Sequence, residues 1–499
     1  MRERPPSLPE VDEHVEVAIV GGGIAGLSAA WAFERAGFSD FVVVELEDVA
    51  GGTSRSGENA VTRFPWGAHY VPAPLVANRP LEALLEEVGA LAGRDASGRP
   101  RWAEHVLCAD PFERLFHMGS WHEGLYPRLG ATSEDLLQLE RFQSEMQSWA
   151  SWQDAQGRPA FAVPRDMGSD APEVRALDAM SMARWLDLRG FTSARLRWLV
   201  EYGCRDDFGA TLSQISAWAG VHYHAARLRQ DGESAPILTW PEGNGRLVRH
   251  LAETAGLRLR TGALVRDVVP RESHVDVTWI GADGTWRRLR AGHVVLAVPR
   301  FAVRHVLAPW RESPPPFLTE SVYGSWVVVN LELARPPSSR GFPIAWDNVI
   351  HGSESIGYIV ATHQLPRSGR AEETGPTVLT WYRPFTDDDV AARREKLLRA
   401  RWEELVDEAL ADLARPHFGF ADLVERADVM TWGHGMVRPR PGFCFSEALA
   451  DASRPLGRVH FAHADLSGLA LFEEAQRSGI RAAEAILSDR GAPFTSWLA

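Results

Sequence analysis

The chain has 499 residues, 45% of them hydrophobic and 24% charged, with a formal net charge of -13. That length exceeds what a single core usually organises, so two domains are expected, and the acidic balance disfavours nucleic acid as a partner. No apolar run approaches the roughly 20 residues that cross a bilayer, and Met1-Arg2-Glu3-Arg4-Pro5-Pro6 has no apolar secretory segment, so a cytoplasmic location is expected.

Residues 1–13 read as a disordered leader, and a βαβ unit is expected over 15–46. Val17-Ala18-Ile19-Val20 is a buried strand, Gly21-Gly22-Gly23-Ile24-Ala25-Gly26 a tight turn, 27–36 a helix, and Phe41-Val42-Val43-Val44 a second strand that ends on Glu45. Gly21, Gly23 and Gly26 stand where a side chain would block the turn, the approach of a pyrophosphate, or the packing of helix on strand. The helix start, with Ile24 and Ala25, offers free backbone N–H groups to phosphates. A carboxylate at Glu45 can accept both ribose hydroxyls and would repel a 2'-phosphate, so FAD or NAD is favoured. Gly51-Gly52-Thr53-Ser54-Arg55-Ser56-Gly57 is a second glycine loop placed to close over those phosphates.

From about residue 80 to 229 the pattern turns helical and rich in tryptophan, an insertion that caps something. Strands return at 257–260, 264–269, 275–279 and 294–298. A second insertion, 303–425, holds a strand at 326–331 and a charged helix over 388–413. Its run Arg393-Arg394-Glu395-Lys396 reads as a solvated face. The chain closes with a strand at 458–462 and a helix at 472–488. Three widely spaced cysteines, Cys108, Cys204 and Cys444, show no metal-ligand spacing, and no metal is expected. His222 and His224, two apart on a helix, would not share a face.

Four stretches together resemble the flavin-containing amine oxidase superfamily, which includes monoamine, polyamine and L-amino-acid oxidases, phytoene desaturases and protoporphyrinogen oxidases. They are Val17 to Gly26 with Glu45; Gly51-Gly52 with Arg55; Ala297-Val298-Pro299; and Gly457-Arg458-Val459-His460-Phe461-Ala462-His463-Ala464-Asp465. The resemblance implies an α/β fold. A Rossmann-like FAD-binding domain is assembled from 14–79, 236–302 and 426–490, and an inserted α+β substrate domain from 80–235 (helical) and 303–425. It implies FAD rather than NAD, with Asp465 at the ribityl and phosphate groups, Val265 at the adenine, and Phe472 opening a helix beside the flavin ring. Pro241-Glu242-Gly243-Asn244-Gly245 resembles the glycine segment before the adenine strand.

Two departures stand out. Thr53 follows the paired glycines where the family has arginine, and Arg55 lies two places on. A lysine that holds water on the flavin would fall near Ser325 and Trp326, yet Lys396 is the sole lysine, which puts fast reaction with oxygen in doubt although oxygen stays a candidate acceptor.

The resemblance also supplies candidate site residues. Gly67-Ala68-His69-Tyr70 matches a segment in which amino-acid oxidases carry a carboxylate-gripping arginine. Tyr70 stands there instead, so an amino-acid substrate loses support. His69 reads either as a proton acceptor or flavin-orienting group, or as a core histidine. Cys444 matches the cysteine that monoamine oxidases join to the flavin; a non-covalent cofactor is favoured. Phe445 is the candidate cage wall, with Trp432 or Phe472 opposite, to attract a bound ammonium. In Cys204-Arg205-Asp206-Asp207-Phe208, a buried ion pair of Arg205 with Asp206 or Asp207 is favoured over substrate contact. Glu473 and Glu474 read as helix N-terminal charges or as ligands of a cationic substrate.

The leading function is an FAD-dependent oxidoreductase that removes hydride from a carbon next to an amine nitrogen of a small-molecule substrate. Two alternatives are oxidation of a C–C bond in a hydrophobic biosynthetic intermediate, and a flavin-binding scaffold without turnover.

Overall fold

In the computed structural model of the chain, residues 11, 13–229, 232–365 and 375–499 are described. The leader expected over 1–13 lies outside them apart from Val11 and Glu13, and Glu13 already begins the first strand. Strand β1 (Glu13–Val20), helix α1 (Ile24–Arg35) and strand β2 (Phe41–Val44) form the expected βαβ unit. The inner half of β1 and all of β2 are fully buried, because parallel strands covered on both faces read as continuous apolar runs.

The sheet around them runs Leu259–Arg260, β2, β1, Trp286–Leu296, Val275–Ile280, Leu264–Pro270, with Val459–Phe461 joined to Trp286–Leu296 as a side branch. Trp286–Leu296 has two jobs. Its first half pairs antiparallel with Val275–Ile280, and its end pairs parallel with β1 and with Val459–Phe461. One face of the sheet packs on α1, the helix Gly245–Ala255 and the helix Phe472–Asp489; on the other, the sheet's own Val265, Val268, Val275 and Val277 share a core with Val303 and Leu307 of the segment that follows it. The domain is therefore assembled from three distant segments.

A second sheet runs Val424–Val437, Tyr323–Leu333, Thr377–Phe385, Gly357–Val360, Asp347–Ile350, Glu113–His117, Ser120–Glu123. Its long strands are antiparallel, and one face packs on two helices, Val390–Arg399 and Trp402–Leu413. The single charged helix expected over 388–413 is thus two, broken where Ala400 turns extended. Two boundaries also shift. Val424–Val437 pairs along most of Tyr323–Leu333, so the third segment of the cofactor domain begins after Val437 and not at 426. The insertion over 80–235 is not purely helical: it lends Glu113–His117 and Ser120–Glu123 to the second sheet, anchored by buried Arg114, which stacks on Trp121 and bonds Asn348 and Tyr358. The rest of that insertion holds the short hairpin of Leu91–Arg94 with Pro100–Trp102 and a group of helices, Ser133–Ser151, Ala194–Phe208 and Ala217–Ala225, around one core.

The helix Phe472–Asp489 lies directly on α1, where a Cβ at Gly479 would sit 2.0 Å from the carbonyl oxygen of Ala25. Alanine improves helix propensity by about 1 kcal/mol, yet here the obstacle is backbone that cannot rotate away. Gly479→Ala is expected to destabilise the fold by about 1–3 kcal/mol net, seen as a fall in Tm with loss of bound cofactor.

Candidate active site

The ends of three strands meet at one edge of the first sheet. The Ala297 N–H donates to the Val20 carbonyl, and the Ala462 N–H to the Leu296 carbonyl, at 2.8 and 3.0 Å. This brings Gly21–Gly26, Ala297-Val298-Pro299 and Ala462–Asp465 side by side at the carboxyl ends of parallel strands, where open α/β sheets hold nucleotides. The glycines divide by role. A Cβ at Gly21 would lie 2.4 Å from the Ala297 oxygen, and one at Gly26 1.9 Å from the Gly21 oxygen, so both permit packing. A Cβ at Gly23 would meet nothing within 4 Å: the space in front of it is open. Helix α1 begins there with no side-chain cap and no acid in its first turn, leaving N–H groups and a positive dipole end facing that space. Glu45 is held at the rim by the N–H groups of Gly22 and Glu47. Gly51 bonds the Gly22 carbonyl at 2.8 Å, so the second glycine loop lies against the first. The Ala263 N–H donates to the Glu45 carbonyl at 2.8 Å, which sets Val265 two residues beyond the rim. These residues fit an extended dinucleotide diphosphate.

Beyond the cradle is a chamber. Gly67–Tyr70, Trp326 and Val328, Tyr382, Trp432, and Leu471 to Glu473 at the start of Phe472–Asp489 line it. His69 packs among Tyr70, Tyr382 and Trp346, its Nδ1 3.3 Å from the Gly67 carbonyl. Burial, only partly offset by that carbonyl, lowers its pKa to about 4, so the ring is neutral. Tyr70 has its phenol pushed up by burial. Trp432 donates its indole N–H to the Trp66 carbonyl at 2.6 Å and pairs with Trp326 across adjacent strands.

His69, Tyr70, Asp206 and Arg227 also line a larger cavity of about 1210 Å³ under the helical insertion. Its charges are mostly acidic. Arg227 grips Asp207 with two bonds of 2.7 and 2.9 Å. Asp206 has only the Tyr223 hydroxyl, at 3.3 Å; burial and the neighbouring Asp207 raise its pKa to about 7. Burial raises Glu473 to about 7 as well, and its Oε1 has no hydrogen-bond partner. Farther out, Asp347 accepts from the Tyr202 hydroxyl at 3.1 Å and is pushed well up by burial and by Asp206; Glu113, desolvated, rises to about 7. Arg128 and Arg227 are the arginines among the described residues that line this cavity, and Arg227 is already committed.

The sequence profile of the flavin containing amine oxidoreductase family matches residues 24–487. The chain belongs to that family. A putative flavin-containing monoamine oxidase, AofH of Mycobacterium tuberculosis, is 25% identical over 485 residues, covering 94% of this chain and 96% of its own. Mitochondrial dimethylglycine dehydrogenase of Rattus norvegicus is 30% identical over 121 residues, which is 24% of this chain; the chain spans only 14% of that relative's length. A solved structure of wild-type putrescine oxidase bound to putrescine shares the fold at a TM-score of 0.68 and 20% identity, covering 95% of this chain and 99% of its own.

As a member of the flavin containing amine oxidoreductases, the protein is an oxidoreductase with a flavin cofactor, and the cradle fits FAD. Several expected positions move. Cys444 and Phe445 do not join the chamber. Residues 439–446 tuck under the helical insertion through bonds from Ser216 to Pro439 and from Gly442 to Asp178. Phe445 stacks between Arg165, Arg175 and Trp218, facing a separate cleft with Arg477 and Arg481, and the Cys444 thiol is pushed up by burial. Tyr382 and Phe472, and not Phe445, line the chamber together with Trp432. Arg55 lies over the Trp432 ring and 3.5 Å from Glu47, between cradle and chamber. The Asp465 carboxylate turns to protein partners: Oδ2 accepts from the Arg300 N–H and the Tyr323 hydroxyl, and Oδ1 lies 3.0 Å from His463 Nδ1.

The ion pair expected for Arg205 forms elsewhere. Arg205 bonds the carbonyls of Ser353 and Glu354, on the far side of its helix from Asp207, and Arg227 takes its place. Glu473 enters the chamber, whereas Glu474 accepts from the Arg165 N–H on the other side. His222 is packed on Trp218 and His224 faces the outer cavity, so the two diverge. Where a lysine would lie, Trp326 and Val328 face the chamber and Ser325 bonds the Gly433 carbonyl; Lys396 is exposed on its helix.

The two kinds of glycine separate experimentally. Gly23→Ala, at a φ of -74°, is expected to fold with a Tm close to the cofactor-free wild type and to weaken FAD binding at least about tenfold. Gly26→Ala is expected to lose the fold itself. Flavin absorbance during FAD titration and thermal melts check both.

Proposed function

We propose that the protein is an FAD-dependent oxidoreductase that oxidises a cationic amine at the carbon next to its nitrogen. The observation that carries this reading is the pair of desolvated carboxylates, Asp206 and Glu473, at the aromatic chamber, where the nearby guanidinium, Arg227, gives its hydrogen bonds to Asp207 and leaves both with raised pKa values. Bound FAD supplies the acceptor for the hydride that leaves that carbon. The chain's residues bind, orient and deprotonate. Tyr70, Tyr382, Trp432 and Phe472 form apolar walls that exclude water and present ring faces to an ammonium. Asp206, fixed through Oδ2 by the Tyr223 hydroxyl, holds the ammonium and accepts its proton at Oδ1, so that the nitrogen is neutral when the C–H bond breaks. Neutral His69 orients the wall and carries no charge that would repel the substrate.

Asp347 and Glu113 in the outer cavity support a substrate with a second positive group. The putrescine oxidase neighbour, crystallised with a diamine, is in keeping with that charge pattern. An apolar polyene or porphyrin-like intermediate would have to lie against these carboxylates, which disfavours the C–C reading.

Anaerobic addition of a short diamine is expected to bleach the flavin, and a neutral apolar compound to leave it coloured. Flavin that no amine reduces would sink the proposal and return the scaffold reading. The pH dependence has a definite sign. Asp206 and Glu473 are protonated below about 7 and charged above it, so kcat/KM for a cationic amine should climb through about pH 7. Asp206→Asn should remove or displace that limb and raise KM at least about tenfold. A profile that overlays the wild type would take Asp206 out of this role.

A further inference from the structure

Far from the chamber, at the other end of the helix Phe472–Asp489, two histidines lie beneath its last turn. His293 is on Trp286–Leu296 and His460 on Val459–Phe461, adjacent parallel strands in which Val295 pairs with His460. His293 is two residues before Val295, so both imidazoles leave the same face of the sheet. They are 7% and 4% exposed, their ring centroids are 5.6 Å apart, and His293 Nδ1 and His460 Nε2 have no hydrogen-bond partner. A buried polar atom left unpaired in this way calls for an explanation. Asp489, the exposed last residue of the helix, brings a carboxylate over them: one ligand atom from each of the three lies within 4.8 Å of the others.

We propose that His293, His460 and Asp489 form a zinc site, with water as the fourth ligand. Nothing in the amine chemistry uses these residues, and the expectation from cysteine spacing that no metal is bound does not reach a site made from strands 167 positions apart in sequence. Ligand atoms around tetrahedral zinc sit about 3.4 Å apart, so binding draws the three groups inward by up to about an ångström from their present spacing, and the exposed Asp489 side chain is free to follow. The carboxyl end of an 18-residue helix adds the negative end of its dipole. Two arginines are close. Arg490 is paired with Glu16, and Arg458 spans the Gly292 carbonyl and His293 Nε2 at 3.3 and 3.4 Å. On binding through Nδ1, His293 carries its proton on Nε2 and Arg458 keeps the carbonyl.

The test is titration of zinc chloride into full-length, FAD-loaded protein that has been stripped with a chelator and desalted, followed by calorimetry and thermal melts. One equivalent is expected to bind with micromolar or tighter Kd and to raise Tm in proportion to occupancy. His460→Gln should weaken binding at least about a hundredfold and Asp489→Asn at least about tenfold, with flavin content and amine-driven bleaching unchanged. Asp489 is exposed, so Asp489→Asn reads the site even where His460→Gln fails to fold. No uptake at 100-fold excess zinc, or Asp489→Asn binding zinc as the wild type does, would overturn the proposal.

Discussion

The whole arrangement depends on one strand that is paired on both sides. Trp286–Leu296 bonds β1 along one edge and Val459–Phe461 along the other, and so draws the glycine turn, the Ala297-Val298-Pro299 corner and the Asp465 turn to a single line. Each of these turns alone is a short loop of no fixed position. Held by consecutive ladder bonds about 4.8 Å apart, they become one surface with an open space at Gly23 and an uncapped helix facing it. The chamber adjoins this line because Gly67–Tyr70 and Leu471 to Glu473, which follow the second glycine loop and the Asp465 turn, line it.

The chamber shows the opposite tendency: it is costly to the empty protein. Desolvated carboxylates at Asp206, Asp347, Glu113 and Glu473 have raised pKa values chiefly because burial disfavours their charges, and neighbouring carboxylates add repulsion at Asp206, Asp347 and Glu473. Arg227 bonds Asp207 and offsets the charge of Asp206 and Glu473 only in part. The strain is of the kind that a positively charged guest removes, since its presence makes ionisation favourable and converts a destabilising cluster into a binding one.

How much of this was legible in the sequence follows from the range of each constraint. The βαβ unit and its glycine turn were readable because strand, turn, helix and second strand each leave a local signal within 30 residues. Membership of Val424–Val437 in the second sheet was not, because period-2 alternation marks a strand without naming its partner. Glu113–His117 and Ser120–Glu123 were hidden by brevity. The Arg227–Asp207 pair joins residues 20 apart on two helices, whereas sequence reading reached for the adjacent Arg205, which the helical turn points the other way. Cys444 and Phe445 mislead for a related reason: a five-residue likeness says nothing of which side of a backbone it will face once the segment is tied under Ser216 and Asp178.

The bare contact between Gly479 and the Ala25 carbonyl has a geometrical meaning beyond packing. One helix presents its amino end to the phosphate space, and the other presents Phe472 and Glu473 to the chamber. With no side chain between them, the two helices meet backbone to backbone. The pair works as a gauge block: the span from the glycine cradle to the chamber is set where two main chains touch, with no rotamer in between to lengthen it.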